Sequence, residues 1–238
     1  MEAKLTEFVN RLKAAAGDNL KALVLYGSAV AGEFHSGHSD LNTLCILGRA
    51  GAADIERLHD VAEWWMREGN PAPFLFTREE LARSADIFAI ELVDIKQKHR
   101  MLAGEDFLET LDVPLRFHRL QVERELRQGW LKIRQAVLAA PKKRAAHLGI
   151  MRESVSSFCA LFRHALAAMG QEMPGNQRGT VDAVAAATGA NPAPFHAMLD
   201  LRAGNRKEKD LDVEATLQMY LEFVEIVTNE VDRRLEIA

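Results

Sequence analysis

Leu23-Val24-Leu25-Tyr26-Gly27-Ser28, then eleven residues, then Asp40-Leu41-Asn42 at the head of another apolar run: this stretch decides the reading of the fold. The run Ala22 to Tyr26 has strand length and stops at Gly27, and Leu41 to Leu47 is a second run that stops at Gly48. A strand that ends on Gly-Ser and opens into a helical turn gathers backbone N–H groups and a hydroxyl at one point. Such a turn suits a phosphate, and glycine lets the phosphate approach the backbone closely. On a strand, positions 40 and 42 project to the same face, so Asp40 and Asn42 offer two oxygen-bearing side chains beside that cradle. The plainer reading is that the pair caps or polarises a strand entry.

Working outward, Leu5, Phe8, Val9 and Leu12 recur at helical spacing and predict an amphipathic helix over 3–16, ending near Gly17. Residues 52–68 return to that spacing through Ile55, Leu58, Val61, Trp64 and Trp65. The two tryptophans cannot both face one core. Phe74-Leu75-Phe76 follows a Pro-Ala-Pro entry and predicts a third strand. Thr77 with Glu80 three residues on fits a capping box. Phe88 to Ile95 reads as a fourth, β-leaning run. Strands alternating with helices indicate an α/β layer with a mixed sheet.

The pattern changes near Pro114. Beyond it the sequence offers helical periods alone: Leu115 to Val137, Leu148 to Met169 and Val213 to Leu235, with shorter helices over 180–188 and 192–203. Long amphipathic helices joined by short ones predict an antiparallel bundle. The expected division is 1–112 for an α/β (α+β) domain and 113–238 for an all-α helical bundle.

The Gly27-Ser28 to Asp40 segment resembles the nucleotidyltransferase superfamily typified by DNA polymerase β and the aminoglycoside nucleotidyltransferases. The family pattern is a Gly-Ser pair, a spacer, an Asp-x-Asp or Asp-x-Glu pair on a strand, and a third carboxylate on a later strand. Gly27, Ser28 and Asp40 match it, and an α/β domain followed by a helical bundle matches the plan of the antibiotic-modifying members. The resemblance implies that Gly27 and Ser28 bind the phosphates of an NTP substrate. It also implies that Asp40 and its partner hold Mg²⁺ or Mn²⁺, and that a third acid binds metal or activates the attacking hydroxyl. The expected reaction moves a nucleoside monophosphate from the NTP to a hydroxyl acceptor. Phosphoryl chemistry of this kind rests on alignment and charge neutralisation.

Asn42 departs from the pattern. Its carbonyl oxygen can ligate Mg²⁺ but brings no negative charge. A weaker metal site follows, or a silent fold that binds a nucleotide or a partner. For the third carboxylate the candidates are Glu91 and Asp94. On a strand they point to opposite faces, and an acid in the middle of an apolar run needs a reason such as a cation, which favours Glu91. The expected catalytic residues are thus Asp40 and Glu91, and the expected metal ligands Asp40, Asn42 and Glu91. His35 and His38 in the spacer, and the basic group Lys96, Lys98, His99 and Arg100, read as solvated unless a triphosphate comes within reach.

Composition bounds the rest. Hydrophobic residues make up 48% and charged residues 27% of 238, the balance of a globular protein. Net charge is −4, with 12 Lys+Arg against 19 Asp+Glu in residues 1–113 and 18 against 15 thereafter. No dense basic stripe is interleaved with aromatics, whose share is 7%, which argues against nucleic acid as the main partner. No run approaches the roughly 18 apolar residues of a membrane span, and the N-terminus lacks the features of a secretory signal. Cys45 and Cys159 read as buried reduced thiols, so a cytoplasmic location is expected. The apolar stripes of the bundle leave room for a homodimer.

Overall fold

The structure, a computed structural model, describes residues 1–31 and 40–236. His35 and His38 lie outside the described residues. The chain divides into two compact units, Met1–Leu115 and Arg116–Ala238.

In the first unit, β1 (Leu20–Tyr26) follows α1 (Glu2–Ala16) and a single 3₁₀ turn. After β1 come α2 (Ser28–Ala31), β2 (Asn42–Leu47), α3 (Ala52–Glu56) and α4 (His59–Arg67). β3 (Phe74–Thr77), α5 (Arg78–Ser84), α6 (Ala89–Gln97) and β4 (His99–Gly104) complete it. The sheet is mixed, in the order β3-β2-β1-β4, with β1 antiparallel to both neighbours and β3 parallel to β2.

Successive residues of a strand point to opposite faces, and β1 feeds two cores. Leu23 and Leu25 pack with Leu5, Phe8 and Leu12 of α1 and Trp65 of α4. Ala22 and Val24 pack with Leu81, Leu92, Ile95 and Leu108 on the other side. Trp65 is fully buried and stacks on Phe8, ring centroids 4.0 Å apart, while Trp64 lies half-buried under the Arg11 guanidinium. Thr77 and Glu80 form the capping box at α5: the Glu80 amide donates to the Thr77 hydroxyl and the Thr77 amide to the Glu80 carboxylate.

One element differs from the sequence reading. The run Phe88 to Ile95 is not a strand; it forms α6, and the fourth strand is His99–Gly104. Helical spacing is present in that run, since Ala89, Leu92 and Ile95 are the residues it buries. A short apolar run does not by itself distinguish a buried strand from a buried helix. The strand that does form begins His99-Arg100, whose polar side chains hide its β character.

The second unit holds α7 (His118–Ala139), α8 (Arg144–Ala168), α9 (Gln177–Thr188), α10 (Ala193–Arg202) and α11 (Val213–Glu236), with no strand among the described residues. Its core is aromatic. Phe195 stacks on Tyr220 at 4.2 Å and lies 5.0 Å from Phe162, and the Tyr220 hydroxyl meets the Ser154 hydroxyl at 3.0 Å. His118 and His164, both buried, face each other at 3.0 Å across α7 and α8. Among the described residues no helix is long and apolar enough to cross a membrane.

Candidate functional site

The site is built where β1 stops. Gly27 sits at φ +82, a left-handed conformation that an L side chain disfavours, and turns the chain from β1 into α2. The Val30 amide closes the turn on the Gly27 carbonyl at 3.0 Å. A Cβ placed on Gly27 would stand 3.3 Å from Asn42 Nδ2, so the glycine and the Asn42 carboxamide lie side by side. The spacing that joined them in the sequence joins them in space.

Three strands bring one row of residues to this end of the sheet. Tyr26 pairs with Asn42 on one side and with His99 on the other. Residues opposite one another in antiparallel strands share a face, and here it is the face that carries α6. Tyr26 is half-buried, and its hydroxyl is pushed up to about 12, first by burial and second by the negative charge of Glu91. Glu91 thus acts on Tyr26 through its charge, but from a helix rather than a strand, and it is solvent-exposed. On that helix Glu91 and Asp94, three residues apart, are neighbours on one side; the opposite-face argument that a strand would have given does not apply.

Asp40 is exposed and immediately precedes the buried Leu41 and β2. Its entry to the strand is held from a distance. The Leu41 amide donates to the Asn70 side-chain oxygen at 3.2 Å, and the Asn70 amide group donates to the Trp65 carbonyl at 3.3 Å. Asn70 is 8% exposed and escapes sequence reasoning. Its one signal is its place in Gly69-Asn70-Pro71, where an Asn at the end of a helix reads as an ordinary turn residue.

The family pattern asks for an acid on a later strand. β4, which adjoins β1, carries none: it reads His99-Arg100-Met101-Leu102-Ala103-Gly104. His99 stands across from Tyr26, with Nδ1 2.8 Å from the Ile95 carbonyl and Nε2 2.8 Å from the Asp106 carboxylate. Both ring nitrogens are thus engaged within the fold. The hydrogen bond with His99 holds the Asp106 carboxyl below its usual range, and the Leu108 amide, donating to Asp106, adds to the effect. Nor do the nearby cations await a phosphate. Arg100 forks onto Glu2 at 2.9 and 3.1 Å, and Lys96 donates to the Leu111 carbonyl.

Among the described residues no group of three or more His, Cys, Asp or Glu side chains is placed to hold a metal ion. Of the expected ligands, Asn42 lies beside Gly27, Asp40 stands exposed two residues before it, and Glu91 acts on Tyr26 through its charge; among the described residues no contact joins the two carboxylates. That donor set is thin for a divalent cation held by protein alone. It fits one whose remaining ligands are phosphate oxygens and water, the usual way Mg²⁺ is bound.

No family model matches the chain, and no curated protein matches it. A solved structure does: spectinomycin adenyltransferase AAD(9) from Enterococcus faecialis, crystallised with ATP and spectinomycin, aligns over 99% of this chain and 99% of that chain, with TM-score 0.55 and 14% identity. The fold is that of a nucleotidyltransferase. A toxin–antitoxin structure with AMP-PNP aligns over 56% of this chain and 98% of that chain at TM-score 0.32 and 16% identity, a likeness too slight to argue from. At 14% identity the likeness shows the fold alone, and the role of each site residue rests on its own surroundings.

Proposed function

We propose that this chain binds a nucleoside triphosphate at the Gly27 end of its sheet and transfers the nucleoside monophosphate to a hydroxyl acceptor. The observation that carries the reading is the contact between Gly27 and Asn42 inside a nucleotidyltransferase fold. It sets a backbone turn open to phosphate against an oxygen-bearing side chain on the next strand. The full-length likeness to an adenyltransferase crystallised with ATP and an acceptor supports the same reaction class.

Gly27 and Ser28 would meet the triphosphate through their backbone. Asp40, Asn42 and Glu91 would hold Mg²⁺ or Mn²⁺ together with the phosphates, and the cation would supply charge neutralisation of the leaving group. The acceptor oxygen forms its bond to the α-phosphorus as the α–β bridging bond breaks and pyrophosphate departs. The acceptor proton passes to a carboxylate, the role assigned to Glu91. Tyr26, whose hydroxyl is held protonated by burial and by the Glu91 charge, would be a neutral donor at this end of the sheet.

A second reading is favoured by Asn42 and by the acid-free β4: the fold binds nucleotide without turning it over. Calorimetry with ATP and Mg²⁺, and a label-transfer assay with α-labelled ATP, separate the two. Binding lost in Asp40→Ala, together with label incorporated into an acceptor or released pyrophosphate, supports transfer. Binding without release in the wild type, with release gained in Asn42→Asp, supports the silent reading. No ATP binding with either Mg²⁺ or Mn²⁺ sinks both.

A further inference from the structure

Phe74 opens the edge strand β3, and its ring is 44% exposed although the residue lies within the sheet. It pairs with Leu44 and so shares the face of Leu44, Asn42 and Tyr26. Its ring runs nearly parallel to that of Tyr26, 16° between planes and 6.3 Å between centroids. Tyr26 is the residue directly before Gly27. Farther along the same edge, Phe88 is 37% exposed and meets Phe76 edge-on at 5.8 Å, and Ile87 beside it is 59% exposed. Leaving such side chains in water is unfavourable, so a cluster of them at one sheet edge points to a bound partner.

The chemistry of the cluster narrows that partner. Phe74 and Tyr26 present near-parallel rings, and the pair starts at the residue that abuts the proposed phosphate turn. A triphosphate seated on Gly27 has its ribose and base still to place. The base is planar and apolar on its faces, and stacking on an aromatic ring is the common way proteins hold it. We infer that Phe74, backed by Tyr26, is the stacking platform for the nucleobase of the bound nucleotide, with Phe88 and Ile87 as its apolar margin. The inference rests on the reading under Proposed function. It goes beyond that reading in giving the base, as distinct from the phosphates, its own site on the edge of the sheet. Because every base has a π face, a platform of this kind holds a base without reading its edge.

The test measures two ligands on the same protein by calorimetry: ATP with Mg²⁺, and inorganic tripolyphosphate with Mg²⁺. Phe74→Ala is expected to weaken ATP about tenfold, the usual scale of one lost base–aromatic stack, and to leave tripolyphosphate unchanged. Phe74→Leu keeps the apolar packing and removes the π face; it should weaken ATP in the same direction and covers the case in which the alanine variant does not fold. Equal loss for both ligands, or no loss for either, overturns the platform. So does an unchanged ATP affinity accompanied by loss of a dimer in sedimentation, which would make the patch a self-association surface. Should the wild type bind tripolyphosphate but not ATP, the platform fails and the phosphate reading stands; should it bind neither, both fail.

Discussion

Gly104, the last residue of β4, lies directly against Lys21 of β1: a Cβ placed on it would stand 2.0 Å from the Lys21 carbonyl oxygen and 2.8 Å from the Ala22 Cα. Its φ of +79 adds a conformation that side chains disfavour. The obstruction is backbone, which cannot swing aside. Gly104→Ala is therefore expected to cost at least about 3 kcal/mol. The readout is the urea midpoint of unfolding, and a loss below about 1 kcal/mol would contradict the close approach.

The capping box at α5 gives a smaller and cleaner effect. Thr77→Ala removes the acceptor for the Glu80 amide and leaves the helix start unpaired, for an expected loss of about 1 kcal/mol. The Glu80 carboxyl is held below its usual range by the Thr77 backbone amide first and the Thr77 hydroxyl second. Thermal melts of the two proteins at neutral pH check the size.

Glu230 on α11 accepts hydrogen bonds from Arg233 at 2.7 and 2.9 Å and from Arg234 at 2.7 Å, and its carboxyl is pulled down to about 2. An unfolded glutamate titrates near about 4.3. The folded value is the lower one, so the contribution is complete above about pH 5 and is lost as pH falls from about 4 toward 2. Wild type should exceed Glu230→Gln in stability at neutral pH, and the gap should close in acid. Chemical denaturation across that range decides it; a gap that widens in acid would reverse the assignment.

Cys45 is fully buried on β2 and its thiol is pushed up to about 12 by burial, while Cys159 is 2% exposed on α8. Thiolate is the reactive form, so neither should react with Ellman's reagent in the native protein at neutral pH. Both should titrate in denaturant. Fast native labelling of one thiol would mean that its core opens locally.

The sequence disclosed most where local chemistry and tertiary packing agree. β1 and β2 are apolar runs closed by Gly27 and Gly48, and burial on both faces is what such runs require. The Gly27 turn and Asn42 were legible because a strand that stops on Gly-Ser and a second strand headed by Asp40-Leu41-Asn42 are local patterns. Glu91 was harder. Its placement depends on whether Phe88 to Ile95 is strand or helix; a short apolar run reads as either, and only the burial of Ala89, Leu92 and Ile95, spaced by three, marks the helix. The tie from Asn70 to Leu41 was invisible for another reason: it joins residues far apart in the chain, and a turn asparagine looks the same whether its amide faces water or a strand entry. The fate of Lys96, His99 and Arg100 followed the same rule, since their partners Leu111, Asp106 and Glu2 are set by the folded sheet alone.

β1 is an inner strand of the sheet, yet the neighbour on one of its sides, β4, is the last strand among the described residues. A ribosome delivers β1, β2 and β3 long before Gly104 emerges. Until then, one side of this apolar strand has no backbone partner. Pairing that spans so much intervening chain is slow to form, and an open strand edge invites the wrong neighbour. Nascent chains stalled before residue 104 should thus be the ones that chaperones hold, and release into the folded unit should wait for the arrival of a strand that begins with a histidine.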